Sequence, residues 1–309
     1  MTPFSQKRIA FVRTTIALFT FTSFAAGHSA SAIEKLFFVS DAFQGAGSSI
    51  TQQSIADSKA VANKVEERIQ EAYNNYGWNS HIITTELNNA SGSLAQYENV
   101  IDEVWSPLLS YVHAVPGNHD YNTYNASGFY SYFDNSETYH SFKIETGAKD
   151  WNIIGIDSNW DKLSFNQWQK QLSWLESEVQ KEACTIVYFH HPRWSSGDHG
   201  NNSQMQDVWE ILTRNNVELA LSGHDHNFEI FDGMDEFGNR DNMGTIQIVA
   251  GIGGADVDSR DMGTIKPNSY QIIEKRHGFI EFILHDGLVV TGAYDEEGHA
   301  FGMYVNICH

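Results

Sequence analysis

Three histidine-bearing segments, Gly117-Asn118-His119-Asp120, His190-His191-Pro192 and Gly223-His224-Asp225-His226, each follow a short apolar run, and a fourth run ends in Ser40-Asp41. Imidazole, carboxylate and carboxamide groups in that number suit Zn²⁺, Fe or Mn²⁺, whereas a thiolate site would need more than the two cysteines present. The runs at 36–39, 112–115, 185–189 and 217–221 are too short for helices and rich in β-branched or aromatic residues, so they read as buried strands. Every polar cluster then falls at a strand C-terminus. In open α/β sheets that edge holds ligands, because the connections diverge there and leave a crevice. These spacings imply one metal site assembled from several strand ends.

The elements that must position those ends are readable from periodicity. Apolar stripes at Val61, Val65, Ile69 and Ala72, at Trp168, Leu172, Leu175 and Val179, and at Met205, Val208, Trp209 and Leu212 predict amphipathic helices. Ser164-x-x-Gln167 and Ser203-x-x-Gln206 introduce the second and third as capping boxes. After His226 the pattern changes to short strands at 245–249, 279–284 and 288–291, the last two joined across an Asp286-Gly287 turn. Gly251, Gly253 and Gly254 read as a tight turn, since no helix pattern follows to make a phosphate cradle. A βα-alternating body followed by hairpins predicts an α/β fold with two facing sheets and helices outside. No repeat, low-complexity tract or Pro-rich linker interrupts residues 33–309, which predicts one domain.

Residues 1–32 read as a secretory signal: Lys7, Arg8 and Arg13 precede the apolar stretch 14–26, and Ala30-Ser31-Ala32 is an A-x-A cleavage site. That stretch is shorter than the roughly 20 residues a spanning helix needs, so no membrane association is expected after cleavage. The expected location is secreted or periplasmic. Losing the three basic residues takes the formal charge from −20 to −23, which argues against nucleic acid as a partner. Cys184 and Cys308 permit one bridge in an oxidising compartment. Nothing in the sequence fixes the oligomeric state.

The order Asp41, Gly117-Asn118-His119-Asp120, His190-x-Pro192, Gly223-His224-x-His226 resembles that of the calcineurin-like metallophosphoesterases. Within that superfamily, Phe189-His190-His191-Pro192 with Ser195-Ser196-Gly197-Asp198-His199-Gly200 and Gly223-His224-Asp225-His226-Asn227 is similar to the small purple-acid-phosphatase-like proteins. The resemblance implies a four-layer sandwich of two facing mixed β-sheets flanked by helices. It also implies two transition metals, Fe, Zn or Mn, with Asp41 and His226 as ligands of one and Asn118, His190 and His224 as ligands of the other. His119 and His199 would face the phosphate as catalytic groups. Two ions about 4 Å apart polarise phosphoryl oxygens and activate water or hydroxide for in-line attack, and a nearby histidine protonates the leaving oxygen. The implied function is an exported metal-dependent phosphoester hydrolase acting on a small phosphorylated substrate, monoester or diester.

The sequence departs from this pattern in one half of the site. The family's Gly-Asp-Asn-x-x-Tyr element, whose aspartate bridges both metals, corresponds to residues 82–90, with Leu87 at the bridging position, Glu86 at its glycine and Ala90 near the iron-binding tyrosine. Phe43 stands where glycine is expected after Asp41. Without a bridging carboxylate, two closely spaced cations repel by on the order of several kcal/mol in a partly dry cleft. One metal held well and the other weakly is therefore expected, with no purple Fe(III) chromophore. The alternative function is a non-catalytic or weakly active metal- or phosphate-binding member of the same fold. Glu86 can replace the aspartate only through a bulge or a one-residue slip, because successive strand residues point to opposite faces. Asp120, Asp157 and Asp225 read as groups that cap turns or orient imidazoles, and His191 is expected to point away from the site.

Overall fold

Alternation along the first strand sets the layering. In β1 (Glu34–Ser40), Leu36 and Phe38 join one buried cluster while Phe37 and Val39 join another, so both faces are covered by apolar groups. Strands buried on both faces belong inside a layered α/β structure. The computed structural model describes residues 32–308 except 47–48, 89, 135–137, 181–182 and 258–263, and residues 1–31 of the expected signal lie outside the described residues.

Further strands are β2 (Gly45–Ala46), β3 (Ser49–Ile50), β4 (Ser80–Thr85), β5 (Val112–Val115), β6 (His140–Ile144), β7 (Trp151–Gly155) and β8 (Cys184–Tyr188). They continue with β9 (Leu219–Ser222), β10 (Phe228–Phe231), β11 (Ile246–Ala250), β12 (Ser269–Ile273), β13 (Gly278–His285), β14 (Leu288–Asp295) and β15 (Ala300–Ile307). One sheet has the order β15-β14-β13-β1-β4-β5 and the other β12-β10-β11-β9-β8-β7-β6, while β2 and β3 pair separately. Strands β1, β4 and β5 run parallel, as do β7, β8, β9 and β11. The flanking strands are antiparallel, and β13 and β14 form the hairpin expected around Asp286-Gly287.

The inner faces meet in a core that includes Leu36, Phe38 and Ile83 from one sheet and Ile186, Leu219 and Ile248 from the other. Outside the first sheet, Val61, Val65 and Ile69 of the helix Gln52–Tyr76 cover Phe37 and Ile82 together with Trp105. Outside the second, Leu172 and Leu175 of the helix Phe165–Val179 and Val208, Trp209 and Leu212 of the helix Gln206–Arg214 cover Ile154, Val187 and Ala220. This is the α/β arrangement of two facing mixed sheets flanked by helices that the sequence implied.

The capping box at Ser164 and Gln167 forms as expected. The one at Ser203 does not. Asn202 caps a 3-10 turn, Ser203–Met205, by accepting the Gln204 N–H, and Gln206 is drawn into bonds with Arg193 and Glu210. Cys184 at the start of β8 is joined to Cys308, just past β15, with the Cα atoms 5.5 Å apart, so a covalent link ties the two sheets. Among the described residues no helix is long and apolar enough to cross a membrane.

Candidate active site

The parallel strands bring their C-terminal ends to one edge, and the register places two carboxylates together. Ser40 pairs with Thr85, so Asp41 and Glu86 leave neighbouring strands side by side. Both turn at once into left-handed backbone, at φ 56° and 51°, and His224 after β9 does the same at 70°. That region costs L-residues about 1–2 kcal/mol each, aspartate being the most tolerant of the three, and such strain gathers at functional sites. Glu86 thereby leaves the alternation of β4. Its Oε2 lies 3.1 Å from His190 Nε2, and Oε1 accepts the His119 N–H at 2.5 Å.

Leu87 is 3% exposed in the apolar cluster shared with the helix Gln52–Tyr76. Leu87, expected at the bridging position, thus offers no ligand, and Glu86 reaches the cluster in its stead. The strand ends at Thr85, so the period-two alternation expected to turn Glu86 away from the site no longer applies at residue 86. Ala90 offers only its carbonyl, which accepts from Asn122 Nδ2 at 2.7 Å and lies 3.4 Å from His119 Nδ1.

The other candidates converge on the same point. His190 Nε2 is 2.9 Å from Asn118 Oδ1 and 3.2 Å from His224 Nδ1, and its Nδ1 is 3.2 Å from Thr85 Oγ1. His226 Nε2 is 3.4 Å from Asp41 Oδ1, and its Nδ1 is 2.9 Å from the Asp256 carbonyl. Asp41 Oδ2 accepts from Ser40 Oγ at 2.6 Å and from the His224 N–H at 3.0 Å. Asp41 Oδ1 is buried and makes no hydrogen bond. Donor atoms of Asp41, Glu86 and His190 all lie within 4.8 Å of one another, as do those of His190, His191 and His224. A buried carboxylate oxygen that makes no hydrogen bond, among oxygen and imidazole donors, fits the transition metals expected. Close approach also explains the glycines: a Cβ at Gly223 would strike Ser40 Oγ and Asp41 Oδ2, and one at Gly117 would strike the Glu86 side chain.

His191, expected to point away, lies inside the cluster, its ring centroid 4.5 Å from that of His224 and 5.0 Å from that of His190. β8 has ended at Tyr188, so alternation no longer sends residue 191 to the opposite face. His199 is exposed at the rim and stacks on His224 with centroids 4.0 Å apart. The three supporting aspartates hold loops. Asp225 accepts from Ser195 Oγ and from the His199 N–H, Asp120 from the Gly117 N–H and Tyr97 hydroxyl, and Asp157 from the Tyr121 hydroxyl and Asn159 N–H.

Electrostatics centre on His190. Burial opposes ionisation of Asp41, but the charge of His190 and contacts with His226 and Ser40 hold its carboxyl far below the usual range. Burial also disfavours a proton on His190, yet Glu86 and Asp41 push it up to about 9. Burial, and then the charge of His190, keep His191 and His224 well below the ordinary imidazole value. The two carboxylates thus demand positive charge at the centre, and neutral imidazoles, the ligating form, surround it.

A family model for calcineurin-like phosphoesterases matches residues 83–228, from β4 through the Gly223-His224-Asp225-His226 segment. Across these residues the chain is similar to that family and, within it, to the purple acid phosphatases. It is 26% identical over 206 residues to tartrate-resistant acid phosphatase type 5 of Sus scrofa, across 58% of this chain and 59% of that relative. The chain thus matches about three fifths of that relative's length. Among solved structures it resembles GAP50, the anchor in the inner membrane complex of Plasmodium, with a TM-score of 0.69, 20% identity and 90% of each chain covered. It also resembles the purple acid phosphatase PPD1 from yellow lupin seeds, with a TM-score of 0.67, 15% identity, and 89% of this chain and 54% of that one covered. These structural likenesses show the fold. The superfamily is dinuclear and metal-dependent, and this chain has donor groups for metal ions.

Proposed function

We propose that the chain is an exported metal-dependent phosphoester hydrolase in which Asp41 and His226 would hold one transition metal and Asn118, His190 and His224 the second, with Glu86 as the carboxylate available to both. The observation that carries this reading is the convergence of Asp41, Glu86 and His224, each on left-handed backbone, around Asp41 Oδ1, which is buried, makes no hydrogen bond and faces His226 Nε2 at 3.4 Å. Bound ions of Fe, Zn or Mn would supply Lewis acidity toward a phosphoryl oxygen and a water made nucleophilic near neutral pH. The chain's own groups do the rest. Ser40 and Thr85 fix the orientation of Asp41 and His190 through their hydroxyls. His199 on the rim and His119, whose backbone N–H donates to Glu86, would carry a proton to the leaving oxygen, with Asp225 accepting the His199 N–H.

The reading as a non-catalytic member rests on Leu87, Ala90 and Phe43, and the Glu86 carboxylate in the cluster weighs against the first of these. Export from a signal at 1–32, ahead of one phosphoesterase domain at 33–309, is supported by the Cys184 to Cys308 bridge, which suits an oxidising compartment. The acidic surface favours a small phosphorylated substrate over nucleic acid.

The test is elemental analysis of purified protein reconstituted with Zn²⁺, Mn²⁺ or Fe²⁺, followed by hydrolysis of para-nitrophenyl phosphate and its diester. About two metals per chain are expected, with turnover that His224→Ala abolishes while the circular dichroism spectrum stays unchanged. Fully loaded protein with no turnover on either ester would establish a binding role instead. Without a tyrosine at residue 90, the iron-loaded protein should show no visible charge-transfer band.

A further inference from the structure

We infer that His191 is a third imidazole donor to the ion held by His190 and His224, an inference that rests on the metal-centre reading above. One ring nitrogen of His191 lies within 4.8 Å of donor atoms on both of those residues. The three rings approach at steep angles, 57° between His191 and His224 and 80° between His191 and His190, so they surround a common point and do not stack in a column.

The way His191 is held also matches a ligand. Ser158, fully buried just beyond the C-terminal end of β7, accepts the His191 backbone N–H at 2.9 Å, and the same hydroxyl lies 2.9 Å from His191 Nδ1. One hydroxyl therefore ties down both the main chain and one edge of the ring, which leaves Nε2 as the nitrogen open to an ion. Histidine ligands are ordinarily fixed in this manner, with the second nitrogen in a hydrogen bond that sets tautomer and ring orientation. With Asn118 Oδ1 and the shared Glu86 carboxylate both beside His190 Nε2, the result is a donor set of three nitrogens and two oxygens. Imidazole-rich sets of this kind favour Zn²⁺ over Mn²⁺.

The experiment titrates the metal-free full chain with Zn²⁺ against a chromophoric chelator, and with Co²⁺ while following its visible spectrum. His191→Ala should weaken one of the two Zn²⁺ equivalents by at least ~10-fold, leave the other unchanged, and alter the Co²⁺ bands. His191→Asn should act in the same direction and decides the matter if the alanine variant does not fold. His224→Ala serves as the control and should weaken the same equivalent. If both His191 variants bind as wild type with unchanged Co²⁺ bands while His224→Ala does not, the inference is overturned and the metal centre stands. If His224→Ala also binds as wild type, the metal-centre reading itself falls, and the inference with it.

Discussion

Glu86 reaches the cluster because its backbone leaves the strand, and that distinction separates two substitutions at adjacent positions. Glu86→Gln keeps the shape and removes the charge, so it should weaken the more labile metal equivalent by about 10–100-fold and lower turnover with it. Leu87→Asp should gain no metal. It would place an unpaired carboxylate in an apolar cluster, at a cost of about 3–5 kcal/mol read from the urea midpoint. A gain in metal content from Leu87→Asp would sink the assignment of Glu86. The convergence of Asp41, Asn118, His190, His224 and His226 was legible because each follows an apolar run whose end the sequence marks. Glu86 was not, because glutamate has no preference for left-handed backbone and its type does not announce the turn. The usable signal was register: Ser40 opposite Thr85 puts Asp41 next to Glu86. His191 was missed because the resemblance assigned the ligand role to His190, two before Pro192, and left its neighbour no part in the site.

The helices and central strands were readable because burial on one or both faces imposes a period, as in the stripe from Val61 to Ala72. β15 was not readable, since Met303, Val305 and Ile307 are exposed and no polar alternation marks its outer face. What fastens this edge strand is the Cys308 bridge to Cys184, reinforced by the Cys308 N–H donating to the Gly287 carbonyl at 2.8 Å. The bridge spans a sequence separation of 124, and a closed loop of that size restricts the unfolded chain strongly. Cys308→Ser should therefore lower unfolding free energy by about 4–5 kcal/mol in denaturant titrations under non-reducing conditions. A loss below about 1 kcal/mol would mean that β15 is held by its ladder with β14 alone.

At the scale of the molecule, the two sheets also meet at a seam of histidines outside the proposed metal donors. His81 on β4 and His113 on β5 belong to one sheet, His140 and Phe142 on β6 to the other. His81 Nδ1 is 3.4 Å from His113 Nε2, the His113 ring stacks on Phe142 with centroids 3.8 Å apart, and His140 Nε2 lies 2.6 Å from the Tyr188 hydroxyl. Burial pushes His113 down to about 4, helped by the charges of His81 and His140, and burial alone does the same to His140. The folded chain thus keeps these rings neutral while the unfolded chain takes up protons near pH 6.5. Their contribution is full above pH 6.5 and is lost as pH falls toward 4, about 2 kcal/mol per ring after allowance for solvent screening. Asp120 and Asp157, raised by burial to about 8 and about 6, titrate with the opposite sign, stabilising the fold as pH falls, so the expectation is a difference between proteins. Between pH 7 and 4.5, His113→Phe and His140→Phe should each lose less stability than wild type in urea titrations, because a ring that cannot be protonated keeps the sheets in contact in acid. Parallel pH profiles for wild type and both variants would show that the seam does not couple the two sheets to protons.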